Sequence, residues 1–412
     1  MAQKKLQSIR GIHDGLPQEV KQWRYIEDVA RSVFASYAFS EVRLPILEPT
    51  ELFVRSVGEK TDIVSKEMYA FEDQGGDFIC LRPEGTAGAV RAYLQAGLTR
   101  AGAQRWFYMG PMFRRERPQK GRLRQFQQIG AEFFGVSGPV EDAEVLAMAQ
   151  RFLDELGIKE TRLEINSLGC NQCRPYYREV LVAYLNERRS SLCETCHERI
   201  DSNPMRVLDC KVESCQDALV DAPEMIHHLC EACDTHFSEL TSGLDALGVV
   251  YVINPRIVRG LDYYNRTAFE FITEQLGAQG TVLAGGRYDG LVESLSGPAT
   301  PAIGFAAGME RLAMLLPEVE ETPLDVAVVV LGEAAKTYGL QQAANMRAEG
   351  LSVIHCGGGS AKRQFKVADR EQARFVATIG EDEVAANVVM LKNLATGEQK
   401  QVDFEGLLQL VS

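Results

Sequence analysis

Apolar residues recur at two spacings along most of the chain, and each spacing predicts a type of element. Between residues 19 and 37 the apolar positions follow a helical period, which predicts an amphipathic helix with one buried stripe. Helices are also predicted at 144–156 and 305–316, where Gly157 and Pro317 end them. Short apolar or alternating runs predict strands at 78–81, 106–113, 126–134, 163–165, 249–253, 268–272 and 282–284. Consecutive strands joined by turns favour an α+β core on an antiparallel sheet.

The pattern changes after a linker predicted at 318–323. Apolar runs that predict strands now alternate with helical stretches: strands at 326–331, 351–355, 375–379 and 388–391, helices at 334–348 and 362–372. This alternation is typical of a small α/β domain with a largely parallel sheet, which we expect at 324–412. A chain of 412 residues is too long for one ordinary core, so two or three domains are expected.

Composition excludes a few classes of protein. The chain is 45% apolar, but no apolar run approaches the length that crosses a bilayer. The first residues, MAQKKLQSIRG, lack the apolar core of a secretion signal, so we expect a cytoplasmic protein. A net charge of -13 argues against general adhesion to nucleic acid, although a local basic patch would still allow RNA recognition.

The segment between Gly110 and Gly135, GPMFRRERPQKGRLRQFQQIGAEFFG, carries the densest chemistry in the chain. Pro118 and Gly121 predict a turn between two strands, with six cationic side chains around it. Arginine is an always-charged fork suited to phosphate, and buried strand positions rarely hold charge without a partner. Arg114, Gln128 and Glu132 therefore predict a pocket for a zwitterionic or nucleotide ligand. The alternative is a solvated hairpin tip.

Cysteine is concentrated in one region, which we expect to be an inserted domain at 168–236. Eight of the ten cysteines form four close pairs: Cys170/Cys173, Cys193/Cys196, Cys210/Cys215 and Cys230/Cys233. Disulfides are disfavoured in a reducing cytosol, and two-residue spacing lets both thiolates reach one ion, so these residues predict structural zinc. Eight thiolates suffice for two four-ligand sites. One site with spare thiols, or a redox-labile cluster, stays open.

The segment at 110–135 resembles motif 2 of the class II aminoacyl-tRNA synthetases, and its wording is close to that of the histidyl-tRNA synthetases. Six further segments resemble that family in the same order: RGIHDGLP at 10–17, motif 1 at 42–59, the amino-acid loop LRPEGTAG at 81–88, the histidine signatures VRGLDYYNRTAFEF at 258–271 and AGGRYDGL at 284–291, and motif 3 at 303–312. The resemblance runs from about residue 8 to 316 and more loosely to the end. It implies a class II synthetase core at 1–167 and 237–320, with an anticodon-binding domain at 324–412.

The resemblance also implies an activity and its partners. The family activates L-histidine with ATP and Mg²⁺, joins it to histidine tRNA, and uses the predicted helix and extended segment of motif 1 to form a homodimer. It does not imply the zinc, because the insertion in this family usually lacks such cysteines.

Cationic residues of the motifs are the expected ATP site. By resemblance, Arg114 holds the α-phosphate and the substrate carboxylate, Arg122 the terminal phosphates and Arg311 the far side of the nucleotide, while Phe126 stacks on adenine. Arg259 is expected to lie against the α-phosphate where related enzymes place a metal, so Arg114 and Arg259 are the catalytic candidates. The alternative for Arg259 is a structural salt bridge to Asp262 or Glu270.

A second group of residues is expected to bind histidine. Glu84, Thr86 and Gln128 offer a carboxylate, a hydroxyl and an amide oxygen to the substrate ammonium. Glu132 accepts from one ring nitrogen, and Tyr264, with Tyr263 and Tyr288 nearby, addresses the other. The alternative is that these tyrosines are core residues with satisfied hydroxyls.

Expectations for tRNA are weaker. The hairpin tip at Gln119 and Lys120 faces the acceptor stem by resemblance, with Gln119 reading the extra 5′ guanosine; alternatively Gln119 is a turn residue. In the last domain, four basic residues are candidates for RNA contact or for a solvated helix face: Lys362, Arg363, Lys366 and Arg370.

Two other functions compete with the ligase. The regulatory subunit of ATP phosphoribosyltransferase shares the synthetase core, but it generally lacks the last domain and has lost phosphate-binding residues. Here Arg114, Arg122, Arg259 and Arg311 are all present, as is the segment 324–412. A zinc-bearing RNA-binding module without catalysis would not need the two pockets.

Overall fold

The chain divides into two units, Met1–Pro317 and Glu318–Ser412. The structure, a computed structural model, describes residues 5–59, 61–119, 121–261, 263–277, 280–317 and 323–411. Residues 318–322 of the expected linker lie outside them. Each unit has its own hydrophobic core. No helix in the described ranges has the length and apolar character needed to cross a membrane.

Eleven strands and ten α-helices are described in the first unit. The strands are β1 (Ser40–Glu41), β2 (Leu47–Pro49), β3 (Tyr69–Glu72), β4 (Phe78–Leu81), β5 (Gln104–Phe113), β6 (Gln125–Phe134), β7 (Arg162–Ser167), β8 (Tyr251–Ile253), β9 (Asn265–Ile272), β10 (Thr281–Arg287) and β11 (Ala302–Gly308). The helices are α1 (Pro17–Ser36), α2 (Thr50–Val57), α3 (Thr86–Gln95), α4 (Pro139–Glu155), α5 (Cys173–Glu187), α6 (Glu194–Ser202), α7 (Glu213–Ala218), α8 (Glu231–Ala246), α9 (Leu291–Ser294) and α10 (Met309–Leu315).

An eight-stranded sheet in the order β1-β5-β6-β11-β10-β9-β7-β8 organises this unit. The six central strands pair antiparallel, as predicted, while β1 and β8 pair parallel to their neighbours at the two edges. A separate three-stranded sheet, β2-β4-β3, contains the predicted strand at 78–81.

One face of the large sheet is covered by α1 and α4. Phe34 of α1 is fully buried, with its ring centroid 5.4 Å from that of Phe107 and 5.2 Å from that of Phe152. Ile129 and Phe133 of β6 point into the same core. Burying an aromatic side chain of this kind stabilises the fold by about 1.5–3 kcal/mol. Because strand side chains alternate, the even-numbered residues of β6 face the opposite side of the sheet.

The cysteine-rich insertion follows β7 and ends in α8, which precedes β8. Its own core includes Tyr177, Leu181 and Leu185 of α5. The boundary expected at residue 236 falls inside α8. One end of that helix carries Cys233, whereas Leu244 at the other end packs into the main core.

The second unit contains a five-stranded sheet in the order β13-β12-β14-β15-β16. Its elements are β12 (Val326–Val330), α11 (Ala335–Ala348), β13 (Val353–His355), α12 (Ala361–Arg370), β14 (Phe375–Ile379), α13 (Glu381–Ala386), β15 (Val389–Asn393), β16 (Gln399–Val402) and α14 (Phe404–Val411). β13, β12 and β14 pair parallel, as the alternating pattern predicted. β15 and β16 add two antiparallel pairings, and β16 was not predicted.

Candidate active site

A fully buried carboxyl group, that of Glu132, lies on the face of the sheet opposite α1 and α4. Its Oε1 accepts hydrogen bonds from Thr86 Oγ1 at 2.7 Å and from the Tyr108 hydroxyl at 3.1 Å, and its Oε2 accepts one from the Tyr288 hydroxyl. Burial raises the pKa of Glu132 to about 8, although the three hydroxyl donors oppose that change. This carboxyl group therefore changes charge close to neutral pH.

Glu84 lies beside that group, just before α3. Its two carboxylate oxygens accept hydrogen bonds from the backbone N–H groups of Thr86, at 2.7 Å, and of Ala87, at 2.9 Å. Burial raises the pKa of Glu84, and these donors again act in the opposite direction. The loop and the carboxylate thus fix each other, which places Thr86 against Glu132.

Glycine permits this close packing. A Cβ on Gly85 would lie 2.1 Å from the Tyr108 ring, and a Cβ on Gly130 would lie 2.3 Å from it. Gly130 is the cross-strand partner of Tyr108. A larger residue at either position would move the Tyr108 hydroxyl away from Glu132.

Three tyrosine rings cluster next to the carboxyl groups. The Tyr263 centroid is 4.6 Å from that of Tyr264 and 5.7 Å from that of Tyr288. The Cζ of Arg259 lies 5.1 Å from the Tyr264 ring centroid. Carboxyl groups, phenols and a guanidinium therefore meet on one side of the sheet.

Four arginines line an adjoining cavity of about 320 Å³: Arg114, Arg122, Arg259 and Arg311. Phe126 and Gln128 line it too, because they lie on the same face of β6 as Glu132. The Cζ of Arg114 is 5.2 Å from the Phe126 ring centroid, and its Nε donates to the Pro83 carbonyl at 2.9 Å. Burial and the positive charges of Arg122 and Arg114 lower the pKa of Arg311. The cavity is therefore suited to an anion that neutralises these charges.

Arg259 makes one of the two salt bridges considered as its alternative role. Its Nη1 lies 2.6 Å from Glu270 Oε1, while Asp262 falls outside the described residues. Its buried Nε has no hydrogen-bond partner among the residues that the structure describes. The same holds for the buried Oε1 of Gln128, and both side chains line the four-arginine cavity. An unpaired buried donor and an unpaired buried acceptor both favour a polar ligand there.

Sequence reasoning missed Tyr108 and Glu310. Tyr108 joins the Glu132 cluster from the neighbouring strand, so only the strand register reveals it. Glu310 lines the four-arginine cavity and accepts a hydrogen bond from the Gln127 backbone N–H at 2.8 Å. Burial raises the pKa of Glu310 to about 7. Its position next to Arg311 in MERL was the available signal.

Gln119 lies apart from both groups, exposed at the hairpin tip. Its backbone exchanges two hydrogen bonds with Arg122, at 3.0 and 2.9 Å, across a tight turn in which Gly121 has a φ of +72°. Lys120 lies outside the described residues. The structure thus places Gln119 as a turn residue at a surface that a macromolecule can reach.

The eight paired cysteines form two clusters of four. Cys170, Cys173, Cys230 and Cys233 make the first cluster, and Cys193, Cys196, Cys210 and Cys215 make the second. Within each cluster the ligand atoms all lie within 4.8 Å of one another, an arrangement that could hold a metal ion. The two halves of the first cluster come from opposite ends of the insertion.

The sequence profile of the histidyl-tRNA synthetases matches residues 11–312, and that of an anticodon binding domain matches residues 325–412. The chain belongs to the histidyl-tRNA synthetase family. This confirms the resemblance drawn from the motifs.

Named relatives agree with this membership of the histidyl-tRNA synthetase family. The histidine–tRNA ligase of Trichlorobacter lovleyi is 52% identical over 401 residues, which are 96% of each chain. That of Anaeromyxobacter sp. is 50% identical over 413 residues, covering 99% of this chain and 100% of the relative. The crystal structure of apo S. aureus histidyl-tRNA synthetase is 34% identical, with a TM-score of 0.82 over 99% of this chain and 100% of that one. The expected class II synthetase fold is thereby confirmed.

Proposed function

We propose that this chain is a histidine–tRNA ligase, which activates L-histidine with ATP and transfers it to the 3′ end of histidine tRNA. One observation carries the proposal: the buried Glu132 cluster and the four-arginine cavity lie on one face of the sheet. Gln128 lines the cavity four positions before Glu132 on β6, and Arg259 lines it beside the Tyr264 ring. An amino acid and a nucleotide phosphate can thus be held side by side.

The first step joins two anions. A carboxylate oxygen of histidine attacks the α-phosphorus of ATP, a new P–O bond forms, and pyrophosphate leaves with the electrons of the broken P–O bond. Arg114 and Arg259 neutralise the α-phosphate and the carboxylate, which lets them approach and stabilises the charge that develops. Arg122 and Arg311 hold the terminal phosphates and the far side of the nucleotide, and Phe126 stacks on adenine.

Magnesium fits the same cavity. Mg²⁺ in such sites is bound by one or two carboxylates together with substrate phosphates, and Glu116 and Glu310 are carboxylates that line the cavity. When bound, the ion would neutralise the leaving pyrophosphate. Burial raises the pKa of Glu310 to about 7, so a cation would favour its ionised form.

Histidine is recognised through both of its ends. Glu84, Thr86 and Gln128 surround the ammonium group, and Gln128 brings an acceptor without a partner among the described residues. Glu132 accepts from one ring nitrogen and Tyr264 bonds to the other, while Tyr263 and Tyr288 close the pocket around the ring. A site that hydrogen-bonds a ring discriminates strongly against side chains without those groups.

In the second step a ribose hydroxyl of the tRNA terminus attacks the adenylate carbonyl, and AMP leaves. We infer that Gln119 at the exposed hairpin tip meets the acceptor stem. The unit at 324–412 binds the anticodon, with the basic residues of α12 at 362–370 as the candidate contacts. The core at 1–167 and 237–320 performs the chemistry.

We infer a homodimer from apolar exposure around the three-stranded sheet. Ile46, Leu47, Phe71 and Phe78 expose 43%, 49%, 47% and 67% of their surface. Exposed apolar side chains concentrated around one small sheet favour an interaction site, and Ile46 and Leu47 belong to motif 1. Light scattering should give a mass near twice 45.6 kDa, and Phe78→Asp should shift it toward one chain. A wild-type chain that stays monomeric would end this inference.

We also infer that each cysteine cluster holds one structural Zn²⁺ ion, in the reducing environment of the cytoplasm. Tetrahedral zinc with bonds of about 2.3 Å to sulfur places its sulfurs about 3.8 Å apart. The Sγ–Sγ distances of 3.7 Å for Cys170–Cys230 and 3.9 Å for Cys193–Cys210 fit that geometry.

Histidine-dependent ATP–pyrophosphate exchange tests the function. The ligase should exchange label only with ATP and L-histidine together, and should then charge histidine tRNA. Binding of histidine without pyrophosphate exchange would instead support the regulatory-subunit hypothesis. The absence of both histidine binding and exchange would overturn the proposal.

A further inference from the structure

Three hydrogen bonds between described residues join the segment that carries Arg259 to the cysteine-rich insertion. We define this Arg259 segment as residues 256–261 and 263–264. The three contacts are hydrogen bonds from guanidinium groups to backbone carbonyls: Arg256 Nη2 to Leu219 at 3.3 Å, Arg206 Nη1 to Gly260 at 3.2 Å, and Arg174 Nη2 to Tyr264. Gly260, which accepts from Arg206, directly follows the candidate active-site residue Arg259. Tyr264, which accepts from Arg174, is itself a candidate active-site residue.

The first cysteine cluster lies directly beside the Tyr264 contact. Arg174 follows Cys173 in the chain, and its Nε donates a second hydrogen bond to the Leu168 carbonyl at 2.9 Å. Cys173 Sγ lies 3.8 Å from Cys170 Sγ and 3.9 Å from Cys233 Sγ. The cluster therefore joins the loop after β7 to the starts of α5 and α8, next to Arg174 in the first turn of α5.

The second cluster contains cysteines on both sides, in sequence, of Arg206, which makes the Gly260 contact. Arg206 lies in a short 3-10 turn, Pro204–Val207, between Cys196 and Cys210. Cys193 Sγ is 3.9 Å from Cys210 Sγ, and the Cys193 backbone N–H lies 3.1 Å from Cys215 Sγ. Closing this cluster fixes both ends of the loop from which Arg206 reaches the Arg259 segment.

Apolar packing supplements these contacts at one side chain, because Val258 of the segment packs against the insertion's core. Beside it lies a cavity of about 610 Å³ that is lined by Val182 of the insertion and by Leu261 of the segment. Buried cysteines also make up much of the insertion's core: Cys173, Cys196, Cys210, Cys215 and Cys233. A small domain with such a core gains much of its stability from metal ligation.

We propose that the two zinc sites act as positioning devices for catalysis: they hold Arg174 and Arg206 in place, and these residues fix Tyr264 for histidine binding and Arg259 for adenylate formation. The proposal rests on the ligase function proposed above. Arg174 and Arg206 touch backbone carbonyls of the site, so they are positioning residues.

Two substitutions and a matched control separate the contacts. Arg174→Ala should raise the KM for histidine by about 10- to 10²-fold with a smaller change in kcat, because small misplacement of a binding group is costly. Arg206→Ala should mainly lower kcat in pyrophosphate exchange. Arg178→Ala is the control, since Arg178 lies one turn after Arg174, lines the same cavity and bonds to the Asp201 carbonyl. It should leave both constants unchanged.

Metal analysis and amide hydrogen exchange test the zinc sites independently of enzyme kinetics. Protein purified without chelators should contain two zinc ions per chain, in the wild type and in all three arginine variants. Cys230→Ser should remove one zinc ion per chain, from the first cluster, and should speed amide hydrogen exchange at 256–264. Cys193→Ser should remove the zinc ion of the second cluster and have the same effect on amide exchange. If a cysteine variant does not fold, the arginine variants still decide the positioning role.

The outcomes are distinguishable. A wild-type protein without zinc would overturn the metal sites. Full zinc content with unchanged histidine KM in Arg174→Ala and unchanged kcat in Arg206→Ala would overturn the positioning role. A wild-type chain without histidine-dependent exchange would instead refute the ligase function itself.

Discussion

At the scale of single residues, the fully buried carboxyl group of Glu132 gives the first test of the candidate site. Burial raises the pKa of Glu132 to about 8, and a bound ring N–H donor would favour the ionised form of this carboxyl group. Glu132→Gln keeps the shape and an acceptor oxygen but cannot ionise. A hydrogen bond to a charged group contributes about 1.5–3 kcal/mol, so kcat/KM for histidine should fall by about 10- to 10²-fold. Pyrophosphate exchange at saturating ATP measures it. An unchanged histidine KM would show that Glu132 does not contact the ring.

The pKa of Glu132 also predicts a pH dependence of stability. Burial raises this pKa from its ordinary value of 4.5 to about 8, so between these pH values the folded chain holds a proton that the unfolded chain has lost. Stability from this group therefore falls as pH rises through that window. Glu132→Gln does not titrate, so its free energy of unfolding relative to the wild type should rise between pH 5 and pH 8. Urea unfolding without substrates measures this, and parallel pH profiles would contradict it.

Arg259 is the second residue to test, because its proposed role depends on geometry as well as charge. Arg259→Lys keeps one cation near Glu270 but loses the planar fork, and kcat for pyrophosphate exchange should fall by about 10²–10³-fold. Arg162→Lys is a matched control, because Arg162 forms a salt bridge of the same length, 2.6 Å, with Glu164 as Arg259 does with Glu270. It should leave kcat near normal. Near-normal kcat in Arg259→Lys would leave Arg259 with only its salt bridge.

At the scale of elements, the pairing of β11 with β6 leaves space for the buried carboxyl group of Glu132 only because a glycine lies opposite it. Gly304 of β11 is the cross-strand partner of Glu132, and a Cβ there would lie 1.8 Å from Glu132 Oε2 and 2.6 Å from the Ala131 carbonyl oxygen. Gly304→Ala should therefore displace the carboxylate and raise the histidine KM, with a loss of stability of about 1–3 kcal/mol from overpacking. Gly290→Ala, with no heavy atom within 4 Å of its new Cβ among the described residues, is the control. Equal kinetics for the two variants would contradict the close approach.

The same strand shows where reasoning from sequence stopped. The prediction of a helix at 305–316 was wrong in its first part, because β11 continues to Gly308 and α10 begins at Met309. Apart from Phe305, residues 304–308 are glycine and alanine and give no alternating signal, so only pairing with β6 and β10 identifies a strand there. In contrast, the aromatic and branched residues of β6 predicted that strand almost to its ends.

The candidate site divides in the same way. Local motifs led to Arg114, Glu132 and Arg259, because each lies in a segment with its own pattern. Tyr108 escaped notice because it meets Glu132 through strand register, which no local spacing reveals. The grouping of the cysteines could not be predicted either. Cys170 contacts Cys230, which lies 60 residues further along the chain, and spacing alone leaves several ways of combining the four pairs into sites.

At the scale of the whole molecule, the two units have separate cores, and this predicts separable functions. The residues proposed for histidine and ATP all lie in Met1–Pro317, whereas the anticodon-binding profile matches residues 325–412. A chain truncated after Pro317 should therefore keep histidine-dependent pyrophosphate exchange. It should lose efficient charging, because it would no longer contact the anticodon bases. Losing two base contacts of about 1–3 kcal/mol each would lower kcat/KM for tRNA by roughly 10²-fold or more. Steady-state charging with transcribed histidine tRNA measures this. Charging as efficient as that of the full chain would show that the last unit does not bind tRNA. Loss of both reactions in a folded truncation would show that the chemistry depends on the last unit.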